Sequence, residues 1–465
     1  MEQVQIGGIM KIPKAVNIPS LLVFTAAFSI MTVSAYSRTI QKQIKWNCSA
    51  VVYIDNDVIR AEDRYGGIIS QGDAGRADAD VLQSAVDAAG PTGEIKICKG
   101  TYVLDKSILI YHNNKVTGEG RGTVLVPPVG DYAVKIEKKD KEIIPRPHHV
   151  YEGFPLYAVI FRDLTIDGKR EGVHHSGKGI YLRGFWSSSF ENLWIQNTGN
   201  ALTLRSVKES DFSNIYLINN GHEADREPSL LITGGNNLHF HGLYVIYQNY
   251  KGLEVVRGKL IFITQSMFHG WLPRHGGPKK YPLIQVRDSN GDRKNEGRYK
   301  SDFVLENSRI TVGGEGTCAV EIINSPATIN HCVATCGFGK TVVGATRNAR
   351  VNISDNSFYS FKSSPIGEYV LYAEDSEVIF KNNVVSFNNL QLCLKAVRNS
   401  IIADNRFDAI SDKPNIFIGD NGEQGSRNIQ VRGNIFRQKR LEEAVEISPL
   451  SNENIEIYHN QIWSE

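Results

Sequence analysis

The side chains able to act on a substrate gather in the first half of this 465-residue chain. Three segments are dense in His, carboxylate, Trp and Lys. They are 167–178, with Asp167, His174 and His175; 219–228, with His222, Glu223 and Asp225; and 269–280, with Trp271 and His275. Each runs toward a short strand pattern of one recurring type: Gly179-Ile-Tyr-Leu-Arg183, Ala201-Leu-Thr-Leu-Arg205, Ser229-Leu-Leu-Ile-Thr233, Gly252-Leu-Glu-Val-Val-Arg257 and Pro282-Leu-Ile-Gln-Val-Arg287. If Ile180, Leu182, Leu202, Leu204, Ile284 and Val286 face a core, the alternation of a strand turns their neighbours outward. The outward set is then Tyr181, Arg183, Thr203, Arg205, Leu231, Thr233, Gln285 and Arg287, with Glu254 and Arg257 nearby in a pattern one residue longer.

Strands in a parallel sheet lie about 4.8 Å apart, so Arg183 and Arg205 become neighbours, with Arg257 and Arg287 further along the strip. Like charges side by side cost energy unless an anion lies between them. Arg pairs with carboxylates through two parallel hydrogen bonds. The row therefore points to a polyanionic ligand such as a uronate-containing polysaccharide. It also reads as solvated corner residues with acidic neighbours in the loops. Two chemistries fit the ligand reading. Glycosidic hydrolysis needs two carboxylates flanking the bond, for which Asp167, Glu223 and Asp225 are the candidates. β-Elimination or C5 epimerisation needs a base for the proton α to a uronate carboxyl and cations for the enolate. His175 and His222 supply the base, and the Arg row, Tyr181, Trp271 and His275 the contacts to substrate. Long loops on a rigid scaffold commonly carry function.

The scaffold is an all-β, right-handed parallel β-helix of about a dozen coils, mainly over 155–465. Alternating strands start near Phe161, Phe190, Phe212, Phe240, Phe262, Phe303, Ile329, Val351, Val378, Ile401, Ile429 and Ile455. Most steps are roughly 22–29 residues, and the period is two, not helical. A recurring Asn marks one position of the later coils: Asn356, Asn383, Asn405, Asn434 and Asn460. Asn tolerates the left-handed backbone of a tight corner, and stacked amides can bond from coil to coil. These are scaffold residues. A solenoid needs its ends covered, and 78–90 reads as a capping helix with an Asp78 cap and a Gly90 stop. The domain limits are then 1–35 for a targeting segment, 36–75 for a β-ribbon leader and 76–465 for the β-helix with its cap.

Lys plus Arg number 52 and Asp plus Glu 50, so nothing in the overall charge calls for nucleic acid or a charged membrane surface. Lys11 and Lys14 precede an apolar run from Leu21 to Met31 and the small-residue pattern Val33-Ser34-Ala35. That is the design of a signal peptide, or else of a retained N-terminal anchor, and predicts a secreted or surface location. Six cysteines in an exported chain permit disulfides, but buried thiols suit Cys332 and Cys336 better than a zinc site lacking its second pair.

Asp78-Ala-Asp followed by Leu82-Gln-Ser-Ala-Val-Asp87, then Gly100-Thr-Tyr102 and Gly118-Glu-Gly-Arg-Gly122, resembles the pectate-lyase-like β-helix superfamily. The likeness is to members with a rhamnogalacturonase/epimerase-type, or pectate lyase family 3-like, N-terminal region, over about 70–465. It implies the fold and a carbohydrate-active role without fixing the reaction. Gly221-His222 and Arg257-Gly258-Lys259 resemble two polygalacturonase motifs. The coil that should hold that family's Asp pair reads Thr198-Gly199-Asn200-Ala201 instead, and its first Asp motif is missing. The Asp-Pro-His signature of mannuronan epimerases is also absent. Calcium is implied as a possible cofactor by the resemblance, although no Asp cluster stands out. The expectation is an exported lyase, glycoside hydrolase or epimerase with a polysaccharide partner. The alternative is a non-catalytic surface protein that binds glycans or mediates adhesion.

Overall fold

The computed structural model describes residues 44–137, 158–169, 176–270, 281–288, 303–312, 318–336, 341–360, 369–386, 390–408, 413–449 and 453–463. The expected targeting segment, His175, Trp271 and His275 lie outside the described residues. Residues 46–465 form one compact unit. Among the described residues no helix is long and apolar enough to cross a membrane.

The alternation seen in the sequence closes into a parallel β-helix. Each coil sends one strand to a 13-stranded sheet and one long or two short strands to a 27-stranded sheet. In the smaller sheet Val134, Ile180, Leu202, Leu230, Leu253, Ile284, Val320, Val343, Leu371, Leu392 and Ile416 lie in register, all pointing inward and buried. No coil could hide such a face alone, so stacking makes the core. In the larger sheet the rings of Phe161, Phe190, Phe212 and Phe240 form a buried column, with centroid separations of 6.3, 5.0 and 4.5 Å. Phe262 does not continue it. The register pairs Ile263 with Phe240, and Phe262 faces outward against His239 at 4.9 Å. His239 and His241 are surface groups on the strand Asn236–Ile246.

The Asn row is a buried ladder. The Asn405 Nδ2 donates to the Asn434 Oδ1 (2.9 Å) and to the Phe380 carbonyl (2.9 Å), while its Oδ1 accepts from the backbone N–H of Asn383 (2.8 Å). The same pattern links Asn356 to Asn383 and Asn434 to Asn460. The left-handed backbone falls one residue earlier than expected, on Asp355, Asn382, Asp404, Gly433 and His459. The preceding residue takes the kink, which leaves each Asn free to turn its amide into the corner. Upstream, Ser266, Ser308 and Cys332 occupy this position, and the ladder runs into them through the Asn356 Oδ1, which accepts from the Cys332 N–H.

The strands Ala50–Asp55, Val58–Asp63 and Ile68–Asp73 form an antiparallel ribbon, and the first also pairs in parallel with Glu94–Ile97. The helix Asp78–Ala89 packs Ala79, Val81, Leu82, Ala85 and Val86 over the solenoid end and stops at Gly90. Asp78 is not its cap. The carboxylate turns away, buried, to accept from the backbone N–H groups of Gly75 and Val103, tying turn to strand. Cys48, Cys98, Cys332 and Cys393 are free thiols. Burial pushes the thiols of Cys332 and Cys393 up to about 11.

Two predictions follow from the core and the ladder. Asn405→Ala strips four hydrogen bonds from buried partners and should cost about 2–4 kcal/mol in urea unfolding, while Gln430→Ala, which loses one exposed contact to Glu456, should change stability by less than about 0.5 kcal/mol. Cys332 and Cys393 should resist iodoacetamide in the native protein at pH 8 and react only on unfolding.

Candidate functional site

The outward residues of the 13-stranded sheet form two parallel columns. One reads Lys135, Tyr181, Thr203, Leu231, Glu254, Gln285 and Glu321. The other reads Glu137, Arg183, Arg205, Thr233, Val256, Arg287 and Ile323. Arg183 and Arg205 are therefore direct neighbours across the ladder. The strand Leu253–Val256 carries no inserted residue, so Val256 and not Arg257 holds the Arg position. Arg257 is the next residue, a left-handed corner at φ 54°. Gly184, Ser206, Gly234 and Asp288 make the same corner on their coils.

Three successive coils build a cationic and aromatic station. The rings of Tyr132 and Tyr181 sit 5.4 Å apart, and the Arg205 guanidinium lies over Tyr181 at 5.8 Å. Thr203 Oγ1 donates to the Asn200 Oδ1 (2.7 Å), so the Tyr132 hydroxyl is the donor in its 3.1 Å contact with Thr203. Burial pushes the Tyr132 phenol up, against the pull of the nearby Lys178 and Arg205 cations. Lys178 lies over the Tyr132 ring and pairs with Glu227. Burial lowers the Lys178 ammonium, but the Glu227 contact outweighs it and holds the group above its ordinary range. Among the described residues neither Arg183 nor Arg205 has an ion-pair partner, and both are exposed.

The loop 219–229 is pinned above this station. His222 and Glu227 exchange backbone hydrogen bonds at 3.0 and 2.9 Å, and Asn200 donates to the Pro228 carbonyl. His222 Nδ1 lies 2.7 Å from the Asp225 Oδ2. Glu227 pairs with Lys178, which ties the loop to the first station.

That second station is a closed ion network. Glu254 is 7% exposed and accepts from Arg287 Nε (3.0 Å), with Lys251 Nζ at 3.1 Å. Lys251 also donates to the Gln285 Oε1 (2.6 Å), and Gln285 donates to Glu321. Arg287 further pairs with Asp288 at 3.1 Å. Its charges are thus spent within the protein, unlike those of Arg183 and Arg205.

Of the residues singled out from the sequence, the register sets Tyr181, Arg183 and Arg205 side by side with Arg287 three coils further on, while His222 and Asp225 pair with each other in the loop after Ile218, which also carries Glu223. Asp167 ends the strand Ile160–Asp167 of the other sheet. Its carboxylate accepts from Gln196 (2.8 Å), Asn197 (2.8 Å) and the Lys169 N–H (3.0 Å), as the first rung of a ladder through Asn197, Asn219 and Asn249. Sequence reasoning did not single out Tyr132, Lys178, Glu227 and Lys251. The alternation Tyr132-Ala-Val-Lys-Ile136 matches Lys178-Gly-Ile-Tyr-Leu182 and was the available signal for the first pair. Among the described residues no group of three or more His, Cys, Asp or Glu side chains is placed to hold a metal ion.

Glu254→Ala should strand the Lys251 ammonium, whose side chain is 11% exposed, and lower stability by about 3 kcal/mol in urea unfolding. Arg183→Ala should change it by less than about 0.5 kcal/mol, since no partner is lost.

No protein-family model matches this chain, and no curated protein matches it. Solved structures do, as β-helices. Tailspike protein 3 of bacteriophage CBA120 aligns over 94% of this chain and 68% of its own, at 12% identity and a TM-score of 0.51. The A-module of an Azotobacter vinelandii mannuronan C-5 epimerase aligns over 83% and 95%, at 12% identity and 0.49. The chain spans 58% of the ORF18 protein of Geobacillus virus E2, with 64% of its own length covered, at 16% identity and 0.45. At such identities the likeness is one of fold, and the chain is a parallel β-helix.

Proposed function

We propose that this protein binds an acidic, uronate-containing polysaccharide along the outer face of the 13-stranded sheet and acts on it by proton abstraction α to a carboxyl group, as a lyase or epimerase does. The observation that carries this reading is the adjacent, unpartnered pair Arg183 and Arg205 beside Tyr132 and Tyr181. Two neighbouring guanidinium groups repel each other until an anion joins them, and a uronate carboxylate fits that place through paired hydrogen bonds. Neutralising the carboxylate makes the α C–H more acidic. His222, whose Nδ1 lies 2.7 Å from the Asp225 Oδ2, serves as the base. In elimination the C5 proton passes to the base, the C4–O bond breaks as the double bond forms, and the leaving oxygen takes a proton from Lys178. In epimerisation a proton returns to C5 from the opposite face. Hydrolysis is the weaker reading, because the Asp167 carboxylate is committed to its ladder. The basic and apolar N-terminal pattern supports export, which gives the protein access to such a polymer.

A binding-only surface protein is the second reading. It is favoured by the openness of the dyad, whose His222 and Asp225 side chains are 42% and 65% exposed.

Incubation with polygalacturonate, alginate and rhamnogalacturonan should give unsaturated uronate ends, read by ultraviolet absorbance, or a changed C5 configuration, read by NMR. Binding without either change supports the second reading, and no binding to any acidic glycan overturns both. Arg183→Ala with Arg205→Ala should weaken binding by about tenfold or more at moderate salt. His222→Ala should abolish turnover while leaving binding within about threefold.

A further inference from the structure

Three successive strands of the larger sheet, Arg398–Ala403, Arg427–Arg432 and Glu453–Tyr458, share a device that the strand before them lacks. The second residue of each is a left-handed Asn: Asn399, Asn428 and Asn454, at φ 48°, 54° and 52°. No residue of Glu377–Lys381 is left-handed. Beside these kinks lies a hollow of about 250 Å³, lined by the three Asn together with Ile401, Gln430 and Glu456. The last three stand outward in register from coil to coil. Asn454 Nδ2 donates to Asn428 Oδ1 (3.0 Å), and Asn428 Nδ2 donates to Asn399 Oδ1 (3.2 Å). An amide carries two donor hydrogens and two acceptor lone pairs. Each rung therefore keeps a donor and an acceptor for the hollow, and all three Asn are exposed. Gln430 Nε2 spends one hydrogen on Glu456 (3.2 Å) and keeps its Oε1.

The charged residues of these strands leave no excess of either sign. Arg398 is paired with Asp375 and Glu377. Arg427 and Arg432 are matched in number by Glu453 and Glu456. An ion of either charge gains little from such a balance. A hydroxyl, which donates and accepts at one atom, satisfies the amides, and neighbouring hydroxyls on one ring can use successive rungs. The half-buried Ile401 offers apolar surface to the C–H groups of the same ring. The volume lies just under the roughly 300 Å³ at which small-molecule pockets begin, a size for a sugar unit and not for a large apolar ligand.

We infer that this hollow is a second carbohydrate-binding site, which takes a neutral sugar unit of a glycan through the amides of Asn399, Asn428, Asn454 and Gln430. It lies on the larger sheet, apart from Arg183 and Arg205, and does not depend on the acidic-polysaccharide reading of the other face.

The test is calorimetric titration of the protein with cellohexaose, laminarihexaose, maltohexaose and mannohexaose. At least one should bind with a Kd of about 1 mM or below. Asn428→Gly with Gln430→Ala removes the central amides while Gly keeps the left-handed corner. With native circular dichroism confirmed, this variant should weaken the binding by about tenfold. Gln430→Ala alone, whose stability stays close to native, should weaken it by about threefold. Arg183→Ala with Arg205→Ala should leave it within about twofold. Failure of every hexasaccharide to bind at about 10 mM overturns the inference. So does a Kd unchanged by Gln430→Ala or by the folded double variant, and so does binding lost with Arg183 and Arg205.

Discussion

Each residue of a coil lies directly above its counterpart in the previous coil, one strand spacing away, because the backbone hydrogen bonds run along the solenoid axis. Everything else in this molecule answers to that stacking. A side chain cannot choose its neighbour: the neighbour is whatever the next coil offers at the same position. Apolar residues in such a column build a core, as the aliphatic series from Val134 to Ile416 and the ring column from Phe161 to Phe240 do. Amides in a column satisfy one another, as from Asn356 to Asn460. Charges in a column repel, and that requirement marks the site.

The strip resolves its charges in two ways. Around Glu254 the protein supplies both signs itself, so Lys251 and Arg287 are bound and the network is closed. At Arg183 and Arg205 no ion pair forms among the described residues, although Glu137 is the next member of the column before Arg183. Closed networks are expected of scaffolds. An open pair on a rigid sheet keeps its electrostatic demand available for a ligand, and the neighbouring tyrosines add apolar surface suited to the face of a sugar ring.

The fold and the Arg row were legible in the sequence because both depend on a period of two that stacking reproduces in every coil. The Asn row was legible for the same reason. What failed was local. The residue Arg257 counts as one more strand position in the sequence, yet the chain turns left-handed there and the register belongs to Val256. Asp78 has the type of a helix cap, but a buried turn claims its carboxylate. Asp167 has the type of a catalytic acid, but three donors surround it. Spacing along a chain does not reveal which hydrogen-bond donors converge on a carboxylate. Tyr132 escaped notice because its strand precedes the regular series, and pairing with Lys178 appears only in the register.

The left-handed corner that follows the Arg position on coil after coil also gives the solenoid the character of a measuring rule. It ends each strand at the same place, so the coils are interchangeable units of length. Gain of a whole coil between Thr233 and Leu253 would leave the Arg183–Arg205 pair and the Glu254 network intact and change their separation by one graduation. Over evolutionary time such a solenoid can change the spacing between two groups of outward residues by changing the number of coils, without altering either group.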